Sequence, residues 1–249
     1  MQRKTTTKAS AEKSNGLVYS LEKLRHKMYL LRFPDNYLLT MTFLRVSEFC
    51  ESSKWAGHNI TLAQFMAWYS KNHSTSVYPD EGAVRLFTYP TDWSGYNIKS
   101  EYLDKLYPDD RSASPIKDWN EHDDLIDGIA RTIRFLEMGD DFYLLGCQTG
   151  EDGNYVLQHE MAHGFFYLDE GYAEAQTDVI RSLDPEFRDD LFNILRDMTY
   201  SEDVLVDEAH AYLSTGPADE MAELTEMEEW IEAEDQCKHI FDTRMTQPD

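Results

Sequence analysis

Two histidines four residues apart, His159 and His163, enclose an acid, Glu160, inside an otherwise apolar run at residues 155–168. That run has no interior proline, and Val156, His159, His163 and Phe166 recur at helical spacing, so it demands a helix whose polar groups point inward. A helix turns about 100° per residue, which places both imidazoles on one face, one turn apart. A fold built around this helix must give its histidines and its carboxylate partners in the interior, because buried polar groups left unpaired are costly. The preceding stretch, residues 149–154, is rich in Gly and Asp and offers capping residues for the helix.

H-E-x-x-H on a helix is the sequence form of a metal site with a built-in base. Both histidines reach one zinc, and Glu160 is placed to take a proton from water at that metal without occupying a coordination position. The competing reading is a pair of core histidines satisfied by hydrogen bonds. On these residues the chain resembles the HExxH zinc metallopeptidases, the zincins, and more narrowly the glutamate-zincins. The resemblance covers about residues 140–215 and does not extend to the first 140. It implies a strand along the substrate cleft ahead of the motif helix, a place that residues 140–147 fit. It also implies a third ligand, a Glu on a later helix, and a Tyr or His near the metal that stabilises the oxyanion.

A catalytic zinc site holds its metal with three protein groups and leaves one position for water. Glu208 is the expected third ligand. It lies in residues 201–213, where Val204, Leu205, Ala211 and Tyr212 make an apolar helix interrupted by the acidic pair Asp207-Glu208. Charge inside such a stripe is tolerated when it is paired or metal-bound. Tyr212, one turn beyond Glu208, and His210 are the candidates for the oxyanion role. Glu170 and Glu174 compete as third ligand, although Asp169-Glu170-Gly171 reads as a helix end, where surface acids are ordinary. The position six residues past His163 is Asp169 and not a histidine, which disfavours the metzincin arrangement. Glu160-x-x-His163 and Asp207-x-x-His210 also repeat the signature of di-iron carboxylate bundles, a rival reading that needs two further carboxylates from other helices.

Composition sets outer limits. With 41% hydrophobic and 13% aromatic residues, 249 residues suffice for a core. No apolar run approaches the roughly 18 residues of a membrane span, and the first eight residues lack the apolar region of a secretion signal, so no membrane association is expected. Cys50, Cys147 and Cys237 are odd in number and far apart, which reads as free thiols in the reducing cytoplasm. Residues 1–150 carry 20 acidic and 18 basic side chains, whereas residues 151–249 carry 27 and 5, a net of −22 out of −24. That surface repels phosphate backbones, so nucleic acid is not an expected partner, while a cationic peptide or protein substrate is drawn toward it. A solvated acidic face is the plainer explanation of the same charge.

Along the chain, residues 1–15 are expected as a disordered tail and 16–249 as one zincin-like domain. Its mixed α/β part runs to about residue 150, and its helical metal-binding part covers 151–249. Residues 28–33 and 37–44 flank a turn at Pro34-Asp35-Asn36, as two strands or a strand and a helix. Helices are expected at 62–69, 121–138, 155–168, 173–183, 185–199, 203–213 and 219–241; strands at 84–89 and 140–147; a turn at 93–97; and a loop at 104–122. The last helix is amphipathic, with Met221, Leu224, Met227, Trp230, Ile231 and Ile240 among dense acids, and is expected to pack on the body. The fold class is α+β: a mixed N-terminal half with a small sheet and a helical C-terminal half carrying the motif. The expected function is a zinc-dependent metallopeptidase acting on a peptide or protein in the cytoplasm, with His159, His163 and Glu208 on Zn2+ and Glu160 as base. A non-catalytic acidic interaction protein with a structural metal site is the alternative from another class.

Overall fold

Apolar and β-branched residues at 17–33 form a hairpin, β2 (Leu17–Arg25) and β3 (Met28–Phe33), antiparallel in register Ser20 to Arg32 and Leu21 to Leu31. Lys27 closes its two-residue loop at φ 58°, in the left-handed region that short hairpin loops use. The computed structural model describes residues 12–14, 17–73, 86–150 and 155–248. β3 is buried at five of its six positions because it is central: β5 (Tyr143–Gln148) runs parallel on its other side, and strands with neighbours on both flanks read as near-continuous apolar runs. β4 (Gly95–Lys99) pairs antiparallel with β5, and β1 (Glu12–Ser14) pairs with β2, giving the order β1-β2-β3-β5-β4.

Helix α1 (Asn36–Cys50) follows β3 at once and lays Phe43 against β5. A Cβ on Gly146 would sit 2.5 Å from the Phe43 ring, so this close approach requires glycine. α2 (Leu62–Asn72) opens with a capping box of Thr61 and Gln64; α3 (Tyr89–Asp92) and α4 (Ser100–Leu106) are short. α5 (Glu121–Leu136) opens with a second box, Asn120 and Asp123, and buries Leu125, Ile126, Ile129, Ala130 and Ile133 on one stripe. Arg45 of α1 locks the same unit, with Nε 2.9 Å from Asp123 Oδ1 and Nη1 2.7 Å from the Ile60 carbonyl.

The helical unit comprises α6 (Tyr155–Leu168), α7 (Glu170–Ser182), α8 (Pro185–Asp197), α9 (Leu205–Thr215) and α10 (Glu228–Thr246). Ile180, Phe187, Leu191, Leu195, Leu213 and Trp230 make its core. The fold is α+β as the sequence implied. The chain divides into two compact units, one of residues 1–46 and 59–150, the other of 47–58 and 151–249, so the helical unit also takes the end of α1 and the segment after it.

Several local expectations are corrected. Of the strand expected at 84–89, residues 84 and 85 lie outside the described residues, 86–88 form no strand, and Tyr89 opens α3 because Pro90 sits in a first helical turn, where its missing N–H costs nothing. Residues 95–97 of the expected turn belong to β4, and the loop at 104–122 contains the end of α4 and a 3-10 turn, Arg111–Ala113. The last helix begins at Glu228 and not at 219: Asp219–Met221 and Leu224–Glu226 are 3-10 turns that sink Met221 and Leu224 into the core, and extended Met227 (φ −81°, ψ 144°) separates them from α10. Within the expected tail, Glu12–Ser14 form β1, and 1–11 lie outside the described residues, as do the capping residues 151–154. Among the described residues no helix is long and apolar enough to cross a membrane.

Candidate metal centre

The site is made by two helices of one unit. α6 carries His159, Glu160 and His163 with 9%, 7% and 2% of their surface exposed, and α9 brings Asp207 and Glu208 in its first turn, buried to a similar degree. Two carboxylates at a helix N-terminus are favoured by its dipole, which offsets part of the cost of burying them. Being adjacent on α9, they meet the same imidazole from different sides. Asp207 Oδ1 lies 2.8 Å from His163 Nδ1, while Glu208 Oε2 lies 3.7 Å from His163 Nε2.

His159 is held in turn by Thr215 Oγ1, 3.3 Å from its Nδ1. With both Nδ1 atoms engaged, the two Nε2 atoms face one another at 3.2 Å, and Glu208 Oε2 stands 4.0 Å from His159 Nε2. Two nitrogens bound at about 2.0–2.1 Å in tetrahedral geometry stand roughly 3.3–3.4 Å apart, so the spacing suits one ion between them. Glu208 Oε2 is buried and has no hydrogen-bond partner among the described residues. The His159, His163 and Glu208 donor atoms all fall within 4.8 Å of one another, and these residues could hold a metal ion. The Asp207-His163 contact supplies the outer carboxylate that fixes tautomer and ring orientation in metal-binding histidines.

Each residue expected from the sequence has a definite place. Glu160 is adjacent to the donors and acts electrostatically on His163 and Glu208. The Tyr212 ring lies 4.6 Å from that of His159, and its hydroxyl is 3.2 Å from the Tyr200 hydroxyl. His210 is not brought to the three donors. It lies behind Asp207, its Nδ1 3.6 Å from Oδ1, stacked on Phe166 with the Tyr172 ring edge-on. Glu170 and Glu174 are exposed on α7 and are not part of the donor cluster.

Two residues escaped the sequence reading, Tyr200 and Glu51. Glu51 follows α1, 108 residues before His159, and a separation of that kind leaves no periodic signal. Its carboxylate is acted on most strongly by Glu208, then by His163, Glu160 and Asp207. Burial and these like charges push it up to about 8. Burial alone would push His163 down, but the carboxylates of Glu208 and Asp207 outweigh it and hold the imidazole at about 10. Burial raises Glu208 to about 7 against the pull of His163, and burial followed by the charge of His163 sends His159 well below its ordinary value.

These directions set a pH dependence. A metal on His163 Nε2 must displace the proton that the raised imidazole keeps at neutral pH, so affinity is expected to rise about tenfold per unit from pH 7 to 9. Below 7 the Glu208 proton must also leave and the slope steepens. Competition against a chromophoric chelator measures it, and a flat profile between pH 7 and 9 would contradict this placement of the proton. No family model, curated protein or solved structure matches the chain.

Proposed function

We propose that the protein is a zinc-dependent hydrolase, most specifically a peptidase cutting peptides or proteins in the cytoplasm. The observation that carries this reading is the convergence of His159 Nε2, His163 Nε2 and Glu208 Oε2 beside a buried Glu160 that is not one of the three donors. A site of purely structural purpose has no use for a base next to its ligands. Zinc, when bound, would polarise the scissile carbonyl and acidify water. Glu160 takes the proton of the attacking water and delivers it to the leaving amine. Asp207 holds the His163 tautomer, and the Tyr212 hydroxyl, steadied by Tyr200, donates to the oxygen that gains charge. Free cysteines, two of them buried, fit the reducing cytoplasm.

Metal content of the purified protein by mass spectrometry tests the reading. About one zinc per chain is expected. Two irons would favour the di-iron rival, for which Asp207-x-x-His210 would have to rearrange, and absence of any metal after zinc loading would sink both.

A further inference from the structure

The two imidazoles of the centre are held from behind by unlike partners. His163 Nδ1 meets a carboxylate, Asp207, at 2.8 Å, whereas His159 Nδ1 meets a neutral hydroxyl, Thr215 Oγ1, at 3.3 Å. An ionised carboxylate only accepts, so the ring beside it must donate. A hydroxyl both donates and accepts, and by itself leaves the tautomer of the ring it faces open. At Thr215 the hydroxyl hydrogen has another destination: Oγ1 donates to the Ala211 carbonyl at 2.7 Å, the bond one turn back that threonine makes inside a helix. What remains for His159 is a lone pair, so its Nδ1 must carry the hydrogen.

Two further contacts agree. The Nε2 atoms of His159 and His163 lie 3.2 Å apart, a hydrogen-bonded separation that needs one acceptor, and His159 Nε2 is bare when the hydrogen is on Nδ1. Thr215 is itself held by its neighbour in sequence. The Tyr155 hydroxyl donates to the Gly216 carbonyl at 2.7 Å, and a Cβ on Gly216, whose φ is 126°, would stand 3.0 Å from the Tyr155 ring. Tyr155 opens α6 one turn before His159, with the two rings 6.0 Å apart. The C-terminal end of α9 therefore grips the first turns of α6 at two points, and one of them is a metal donor's own ring.

We infer that Thr215 is the positioning residue of His159, an inference that rests on the metallopeptidase reading and deepens it. Its oxygen accepts from Nδ1–H and so leaves Nε2 bare toward His163 and Glu208 before any metal arrives. Without that acceptor the hydrogen is free to sit on Nε2, where it blocks coordination. The contact is neutral and longer than the one between Asp207 and His163, so its loss is expected to cost about tenfold in zinc affinity, the low end for a residue behind a ligand.

Long-range proton–nitrogen NMR correlations in the metal-free full chain read the tautomer without any metal. His159 is expected with a pyrrole-like Nδ1 and a pyridine-like Nε2, and the reverse assignment would overturn the inference. Thr215→Val keeps the branched shape and removes the acceptor; chelator competition is expected to show the tenfold loss. Thr215→Ser keeps the hydroxyl and is expected to bind zinc as the unaltered chain does. Undiminished affinity in Thr215→Val, or an equal loss in Thr215→Ser, would overturn the inference and leave the zinc site standing. An unaltered chain that binds no zinc would overturn the metallopeptidase reading and this inference with it.

Discussion

Glu160→Gln is expected to keep its zinc and to lose turnover by about two orders of magnitude or more, the scale for removing a general base. The substitution preserves side-chain volume at a position that is 7% exposed, so α6 and both imidazoles stay in place. What disappears is the carboxylate that accepts the proton. The check pairs zinc content by mass spectrometry with kcat/KM on a fluorogenic peptide library. If the metal leaves with the carboxylate, Glu160 is a ligand, as the di-iron arrangement demands, and the hydrolytic scheme is wrong. If zinc and rate both persist, another group is the base.

His159→Ala, His163→Ala and Glu208→Ala are each expected to weaken zinc binding by about a thousandfold or more, since roughly 10–16 kcal/mol holds a complete zinc site and one donor is a large share of it. His163→Ala is expected to be the most severe, because it also strands Asp207, its partner at 2.8 Å. Asp207→Asn leaves the three donors and loosens only the orientation of the ring, so a drop of about ten- to a hundredfold is expected. Glu170→Ala and Glu174→Ala, exposed on α7, are expected to bind zinc as the unaltered protein does. Chelator competition ranks the six variants. Full affinity in Glu208→Ala would remove it from the ligand set.

The parts of this arrangement that could be read beforehand are those whose signals are local. α6 spans residues 155–168 as expected because an apolar run with inward histidines admits only one period, and α8 begins at Pro185 behind the cap Asp184 as its residues suggest. Glu208 was legible because an acidic pair inside an apolar helix needs a reason. Which member of that pair would face Nε2 and which Nδ1 of His163 was not, since neighbours on a helix differ by a rotation that only packing fixes. The same limit hid the surroundings of His210, whose ring packs against Phe166 and Tyr172. Glu51 and the parallel pairing of β3 with β5 depend on contacts more than 100 residues apart. The turns at 219–226 replaced an expected helix because burying Met221 and Leu224 outweighed the helical propensity of Ala222 and Glu223 between them.

Ser47–His58 is separated in sequence from the rest of the helical unit by residues 59–150, which fold elsewhere. On a ribosome the two pieces therefore emerge at different times. Ser52 leaves well before Tyr200, with which it pairs, and at roughly 5–20 residues per second the delay is on the order of ten seconds. During that interval β2, β3, α5 and β5 can assemble. The order of synthesis thus makes the sheet-bearing unit the earlier product and the His159, His163 and Glu208 cluster the later one. It also means that a fragment cut at residue 151 keeps His159, His163 and Glu208 yet lacks Ser52, which bridges to Tyr200.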